Sequence, residues 1–163
     1  MPTKSITIDE FARLVKDLPA AVEHATIRGL RSAGERAVLE VVTEIDNAEP
    51  DPAVDSGALR QSVHSEPLDD GYEVVVDAPH APFMEYGTRP HFPPLGPIFV
   101  WVMRKGLAST DEEGEQIAWA IAATIAVFGI EPRHFFRKAM VRVRNKIVPQ
   151  EINHELAQLA RKM

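Results

Sequence analysis

Asp70-Gly71-Tyr72-Glu73-Val74-Val75-Val76-Asp77 is the stretch that decides the fold class. Its residues alternate as in a strand, with Tyr72, Val74 and Val76 on one face, and Asp70-Gly71 supplies a turn ahead of it. Gln61 to Glu66 is the expected antiparallel partner, joined through that turn. The remaining regular segments read as helices. The expected class is therefore α+β, a small antiparallel β-sheet flanked by a long N-terminal helix and several C-terminal helices.

Upstream, Thr7 and Glu10 have the spacing of a capping box, in which hydroxyl and carboxylate satisfy the open amides of a helix start. A short helix over Ile8 to Leu18 follows, and Pro19 is expected to interrupt it, because proline lacks the amide donor. From Ala20 to Ile45 the apolar residues Ile27, Leu30, Ala37, Val38, Val41 and Ile45 fit one helical face. Asn47 to Asp55, with Pro50 and Pro52, reads as a loop.

Downstream, Ala78 to Pro94 places five prolines around a single helical turn, Phe83 to Tyr86, stopped by Gly87 in a left-handed cap. So long an irregular segment in a compact domain points to function or to a bound partner. Gly96-Pro97 opens a helix containing Ile98, Phe99, Trp101 and Val102, with Arg104 and Lys105 near its negative end and Gly106 behind it. Glu112 to Phe128 forms another. Ile117, Ile121, Ile125 and Phe128 make one stripe and Ala118, Ala122 and Ala126 a second, so this helix is expected to be buried nearly all round, in its own core or a neighbour's. The region from Pro132 to Met163 reads as helical, with a kink or break at Pro149.

With 163 residues, 45% hydrophobic and 26% charged, the chain has the size of one domain. It contains no cysteine, which excludes a disulfide framework, a thiolate zinc site and a thiol nucleophile. The N-terminus shows no signal-peptide pattern. The most apolar run, Ile117 to Phe128, falls far short of the roughly 20 residues that cross a bilayer, so no membrane partner is expected. A formal net charge of −6 argues against tight wrapping of nucleic acid by the whole molecule.

Enzyme chemistry finds little support. No nucleophile elbow, phosphate-cradling loop or dinucleotide fingerprint occurs. His80, Glu85 and His91 are neighbours in sequence but match no ligand spacing, so neither metal nor cofactor is expected. The pairs Asp69-Asp70 and Glu112-Glu113 sit beside a turn and at a helix start, where acids have structural reasons to be. Arg133, Arg137, Lys138, Arg142, Arg144 and Lys146 place six cations in about four turns with no acid among them. They read either as a solvated helix face or as a docking face for DNA or an acidic partner. Phe135-Phe136 beside them, and Phe83, Tyr86 and Phe92, read as core or as interface.

Five stretches in order carry a resemblance. DSGALRQSV (Asp55 to Val63), APHAPFMEYGTRPHFPP (Ala78 to Pro94) and GIEPRHFFRKAM (Gly129 to Met140) resemble the signatures of the small minor-tail, neck and tail-completion proteins of long-tailed bacteriophages. FVWVMRKGL (Phe99 to Leu107) and IAWAIAATIAVFGI (Ile117 to Ile130) are similar to a longer form of that family. The chain departs from the pattern in its Thr3 to Leu18 helical extension and at Lys138, where the family often has proline. A single domain over residues 1–163 is expected, with an extension at 1–18, a family-like core at 20–146 and a C-terminal helix at 147–163.

The resemblance implies an α+β subunit without catalytic activity, assembled as a homo-oligomeric ring of six or twelve copies between the portal side and the tail tube. Its implied partners are the neighbouring connector, tail-terminator or tail-tube proteins and the genomic DNA, which would pass through the channel without sequence-specific binding. The implied location is the neck of the virion, after assembly in the host cytoplasm. The expected interface comprises Phe83, Glu85, Tyr86, Gly87, Thr88, Arg89, His91, Phe92, Arg133, Phe135, Phe136 and Arg137. Lys138, Arg142, Arg144 and Lys146 form the candidate face for DNA or an acidic partner.

Overall fold

A computed structural model describes residues 7–48 and 57–163, except for the side chains of Glu10, Phe11 and Leu14. Most of the expected Asn47 to Asp55 loop, the Asp55-Ser56 start of the first resembling stretch and the Thr3 to Ile6 part of the extension lie outside the described residues. So does the Glu10 half of the expected capping box. The fold is α+β, and it divides into two compact units, Met1–Ala78 with Phe135–Met163, and Pro79–His134.

The first unit is built on one helix, α1 (Ile8–Asp46), which runs through Pro19 without the expected interruption. Proline's fixed φ is itself helical, and the lost bond falls where Val15 and Pro19 are exposed and water can satisfy the freed Val15 carbonyl. Its buried row is Ala25, Gly29, Ala33, Ala37, Val41 and Ile45, one residue in every four. Each step of four overshoots a full turn by about 40°, so the row winds around α1 and meets one neighbour after another. The sequence reading found only the last three of these positions, because glycine and alanine carry little hydropathy signal.

Gly29 meets the final helix, α7 (Val148–Lys162), so closely that a Cβ there would lie 2.8 Å from the Ile152 Cα. Ala33 and Ala37 cluster with Val143 and Ile147, and Val74 and Met140 pack against them. Four ion pairs run along this antiparallel seam. Arg28 pairs with Glu155 at 2.9 Å, Arg36 with Glu151, and Arg142 with both Glu40, at 2.7 Å, and Glu44.

After a short helix, α2 (Ala58–Gln61), strand β1 (Val63–Leu68) pairs antiparallel with β2 (Gly71–Val76) in the register Val63 to Val76 and Leu68 to Gly71. The sheet is as expected, with two corrections. Gln61 belongs to α2 and not to the strand. Gly71 is already paired, so the two-residue connection is Asp69-Asp70. The Tyr72 and Val74 face looks onto α1, where a Cβ on Gly34 would lie 2.6 Å from that of Tyr72.

The C-terminal region is α6 (Phe135–Arg142), a π-helical turn (Val143–Ile147) and α7. Pro149 causes no break, because the backbone stays helical ahead of it at Ile147 (φ −70°, ψ −52°) and Val148 (φ −56°, ψ −50°), and proline's own fixed φ fits that geometry. Just ahead of it the Val148 amide reaches back to the Val143 carbonyl, one residue further than in an α-helix.

The second unit contains α3 (Ala81–Tyr86), α4 (Leu95–Arg104) and α5 (Asp111–Phe128). Gly106 ends the α4 region with φ 67°, and the Leu107 amide returns to the Val102 carbonyl at 3.1 Å, the long bond of a Schellman ending. Thr110 caps α5 by accepting the Glu113 amide, and the Glu113 carboxylate accepts the Ser109 amide at 2.8 Å. Gly114, Ala118 and Ala122 are the buried face of α5. A Cβ on Gly114 would lie 2.7 Å from the Met103 sulfur, so α4 packs against backbone.

Candidate functional site

Two of the resembling stretches meet in the second unit. α3 ends at Gly87, whose φ is 70° and ψ −172°. This differs from the expected left-handed cap. The positive φ is as anticipated, but the extended ψ places the residue in a region essentially restricted to glycine. Gly129, at the end of α5, has nearly the same conformation, with φ 76° and ψ −161°.

These two turns bring Thr88 beside Ile130. The Thr88 amide donates to the Ile130 carbonyl at 2.9 Å, and the Ile130 amide donates to the Thr88 hydroxyl at 3.1 Å. A Cβ on Gly87 would overlap the Ile130 carbonyl oxygen, and one on Gly129 the Thr88 carbonyl oxygen. The open carbonyls at the end of α3 are met from the same segment. The Arg133 amide donates to the Met84 carbonyl at 2.9 Å and the His134 amide to the Glu85 carbonyl at 3.2 Å. The irregular segment is thus held by backbone bonds between residues roughly forty to fifty positions apart in the chain.

What this support presents is apolar. Phe83 and Phe92 are 54% exposed and Tyr86 74%. His91 is exposed too, its Nδ1 donating to the Arg89 carbonyl at 2.9 Å, and Arg89 beside it is exposed. Thr88 is half-buried in its bridge. Glu85 is buried, as is Phe135. These two are corrections to the expected contact set, since neither side chain is on the surface: Phe135 fills the core where α6 begins, and Glu85 lies on the inner side of α3. Phe136 is half-buried beside an apolar hollow of about 230 Å3 lined also by Leu30, Tyr72, Val74 and Met140. Arg133 is half-buried and Arg137 exposed.

The basic face is also less uniform than its sequence. Arg142 is held by Glu40 and Glu44 on α1, the Glu40 hydrogen bond first raising its pKa above the ordinary value. Lys138, Arg144 and Lys146 are exposed and pair with no acid among the described residues. His80, Glu85 and His91 do not converge, and no group of three potential metal ligands occurs among the described residues.

α5 carries a further exposed apolar face. It was expected to be buried nearly all round, in its own core or a neighbour's, and within the chain only its glycine and alanine row, Gly114, Ala118 and Ala122, is buried. Trp119 and Val127 are exposed and Phe128 is 77% so. Trp119, Val127 and Phe128 lie off the row that faces α4, where Gly114 leaves room only for small residues. No helix among the described residues is long and apolar enough to cross a membrane.

Comparison with protein-family models, with curated proteins and with solved structures finds no match.

Proposed function

We propose that this chain is a structural protein of the head-to-tail junction of a long-tailed bacteriophage, a neck or tail-completion subunit that assembles as a ring, joins head to tail and completes the DNA channel. The observation that carries the reading is the glycine-locked segment, in which two stretches that resemble the family's signatures are bonded to each other while Phe83, Tyr86 and Phe92 stand in solvent. Rigid aromatic groups on a fixed backbone suit a protein interface, because little conformational freedom is lost when a partner covers them. The exposed face of α5, with Trp119, Val127 and Phe128, offers a second surface of the same character. An acidic chain also suits a channel through which phosphate must slide without binding.

Gly87→Val tests the assignment in the phage that encodes the chain. Heads and tails are expected to form separately and to remain unjoined, whereas normal infectious particles would contradict it. A second reading, a DNA-binding accessory protein, is favoured by the exposure of Lys138, Arg144 and Lys146. It requires duplex binding that weakens steeply with salt, and binding without salt dependence, or none, removes it.

A further inference from the structure

We infer that the start of α1, from Ile8 to about Val22, is a self-association helix whose apolar face is covered by the same helix of neighbouring copies. The spacing of this segment is that of a heptad. Ile8, Val15 and Val22 occupy one core position, and Phe11 and Leu18 the other. Ala12, Leu14, Pro19 and Ala21 take the flanking positions, and all the charged residues, Asp9, Glu10, Arg13, Lys16 and Asp17, take the remaining three. The structure makes the segment one continuous helix with Ile8 87% and Val15 50% exposed.

The same stripe continues into a covered seam. From Ala25 and Gly29 onward it is buried, and Gly29 lies against Ile152 of α7. The two helices run antiparallel, with Arg28 at Glu155 and Arg36 at Glu151. Counted back from Gly29, the end of α7 at Lys162 comes level with about Pro19. Among the described residues, the turns from Ile8 to Leu18, about 16 Å of helix, outrun the cover that α7 provides. The occupant that extends this seam is another helix.

The charge of the segment selects among partners. Three acids and two bases over residues 8–22 leave no cationic excess for an anionic lipid surface or for nucleic acid. A helix with a matching heptad stripe fits, and another copy of this chain supplies one. Uncharged flanking positions widen the face beyond a two-helix seam, so each helix has more than one neighbour. Two heptads bury too little to associate alone, so the bundle forms where other contacts already hold the copies together. The inference therefore rests on the homo-oligomeric part of the proposed function.

The chain has no cysteine, so single cysteines introduced into the full-length protein report the contact. Ile8→Cys and Val15→Cys lie on the apolar face, and Lys16→Cys and Ala20→Cys on the opposite one. After copper-phenanthroline oxidation, disulfide-linked dimer is expected from the first pair and monomer from the second. Absent linkage at Ile8 and Val15, or equal linkage at all four positions, overturns the inference. Native mass spectrometry of the same samples separates its fate from that of the ring. A ring without apolar-face linkage overturns the helix contact alone, linkage without a ring supports the contact and removes the ring, and an unlinked monomer removes both. Co-sedimentation of unlinked protein with phosphatidylcholine–phosphatidylglycerol vesicles, lost in Val15→Asp, would reassign the face to a membrane and overturn the inference.

Discussion

Thr88 and Ile130 are joined by two hydrogen bonds, amide to carbonyl at 2.9 Å and amide to hydroxyl at 3.1 Å, each lying one residue beyond a glycine with positive φ and extended ψ. The bridge depends on both glycines, since a side chain on either meets the opposite carbonyl. Gly87→Ala and Gly129→Ala are each expected to cost about 3 kcal/mol, from the restricted backbone region and the overlap together. Urea unfolding measures this, and a loss below about 0.5 kcal/mol, the level of an ordinary surface change, would contradict it.

Gly29 shows how propensity and packing compete. Alanine gains about 1 kcal/mol in a helix interior, but a Cβ at Gly29 lies 2.8 Å from the Ile152 backbone, and overpacking of that kind costs about 1–3 kcal/mol. Gly29→Ala is expected to lower stability by about 1 kcal/mol, since backbone cannot step aside as a side-chain end can. Gly96→Ala, where nothing lies within 4 Å, is expected to raise it by about 0.5 kcal/mol. Thermal unfolding of both variants checks the opposite signs.

Two titrating groups give opposite pH dependences. The Ser32 hydroxyl and then Arg36 hold the Glu151 carboxyl below its ordinary range, so its contribution is present above that range and lost as the pH falls through the lowered value. The Ser62 carbonyl, then Glu66 and Asp77, raise the half-buried His64, so its contribution is complete below the ordinary histidine value and lost as the pH rises through the raised one. Glu151→Gln should narrow its stability gap to the parent in acid, and His64→Gln should narrow its gap in mild base. Unfolding series across pH test both, and a gap that stays constant with pH contradicts the assignment for that group.

His134 has φ 53°, unlike any other non-glycine residue among those described, and its Nδ1 is buried without a hydrogen-bond partner. A left-handed conformation costs a non-glycine residue roughly 1–2 kcal/mol. His134→Gly is expected to recover about 1 kcal/mol, less what the lost ring packing contributes. Destabilisation by more than about 1 kcal/mol would mean that the ring, not the backbone, governs the position.

The legibility of the fold followed residue size. Strand β2, the α4 ending at Gly106 and the α3 turn before Gly87 were readable, because alternation and glycine punctuation are local signals. The winding row of α1 was half invisible, since Ala25, Gly29 and Ala33 are buried for their smallness and not for their hydropathy. Pro19 misled because a missing donor is cheap at an exposed site. For α5 the two alternatives, burial in its own core or against a neighbour, were not separable in the sequence: composition marks Trp119, Val127 and Phe128 as apolar, but only packing tells which side Gly114, Ala118 and Ala122 claim. The meeting of Thr88 with Ile130 is tertiary, and no spacing in the chain predicts it.

Placement of the chain in the virion tests the central claim most directly. With an affinity tag on the C-terminus of the chain, gold labelling of phage particles purified from the strain that carries its gene is expected, on the proposed function, to mark the head-to-tail junction and to leave isolated heads and tail tips unlabelled. Purified, infectious particles that lack the chain altogether would contradict the account.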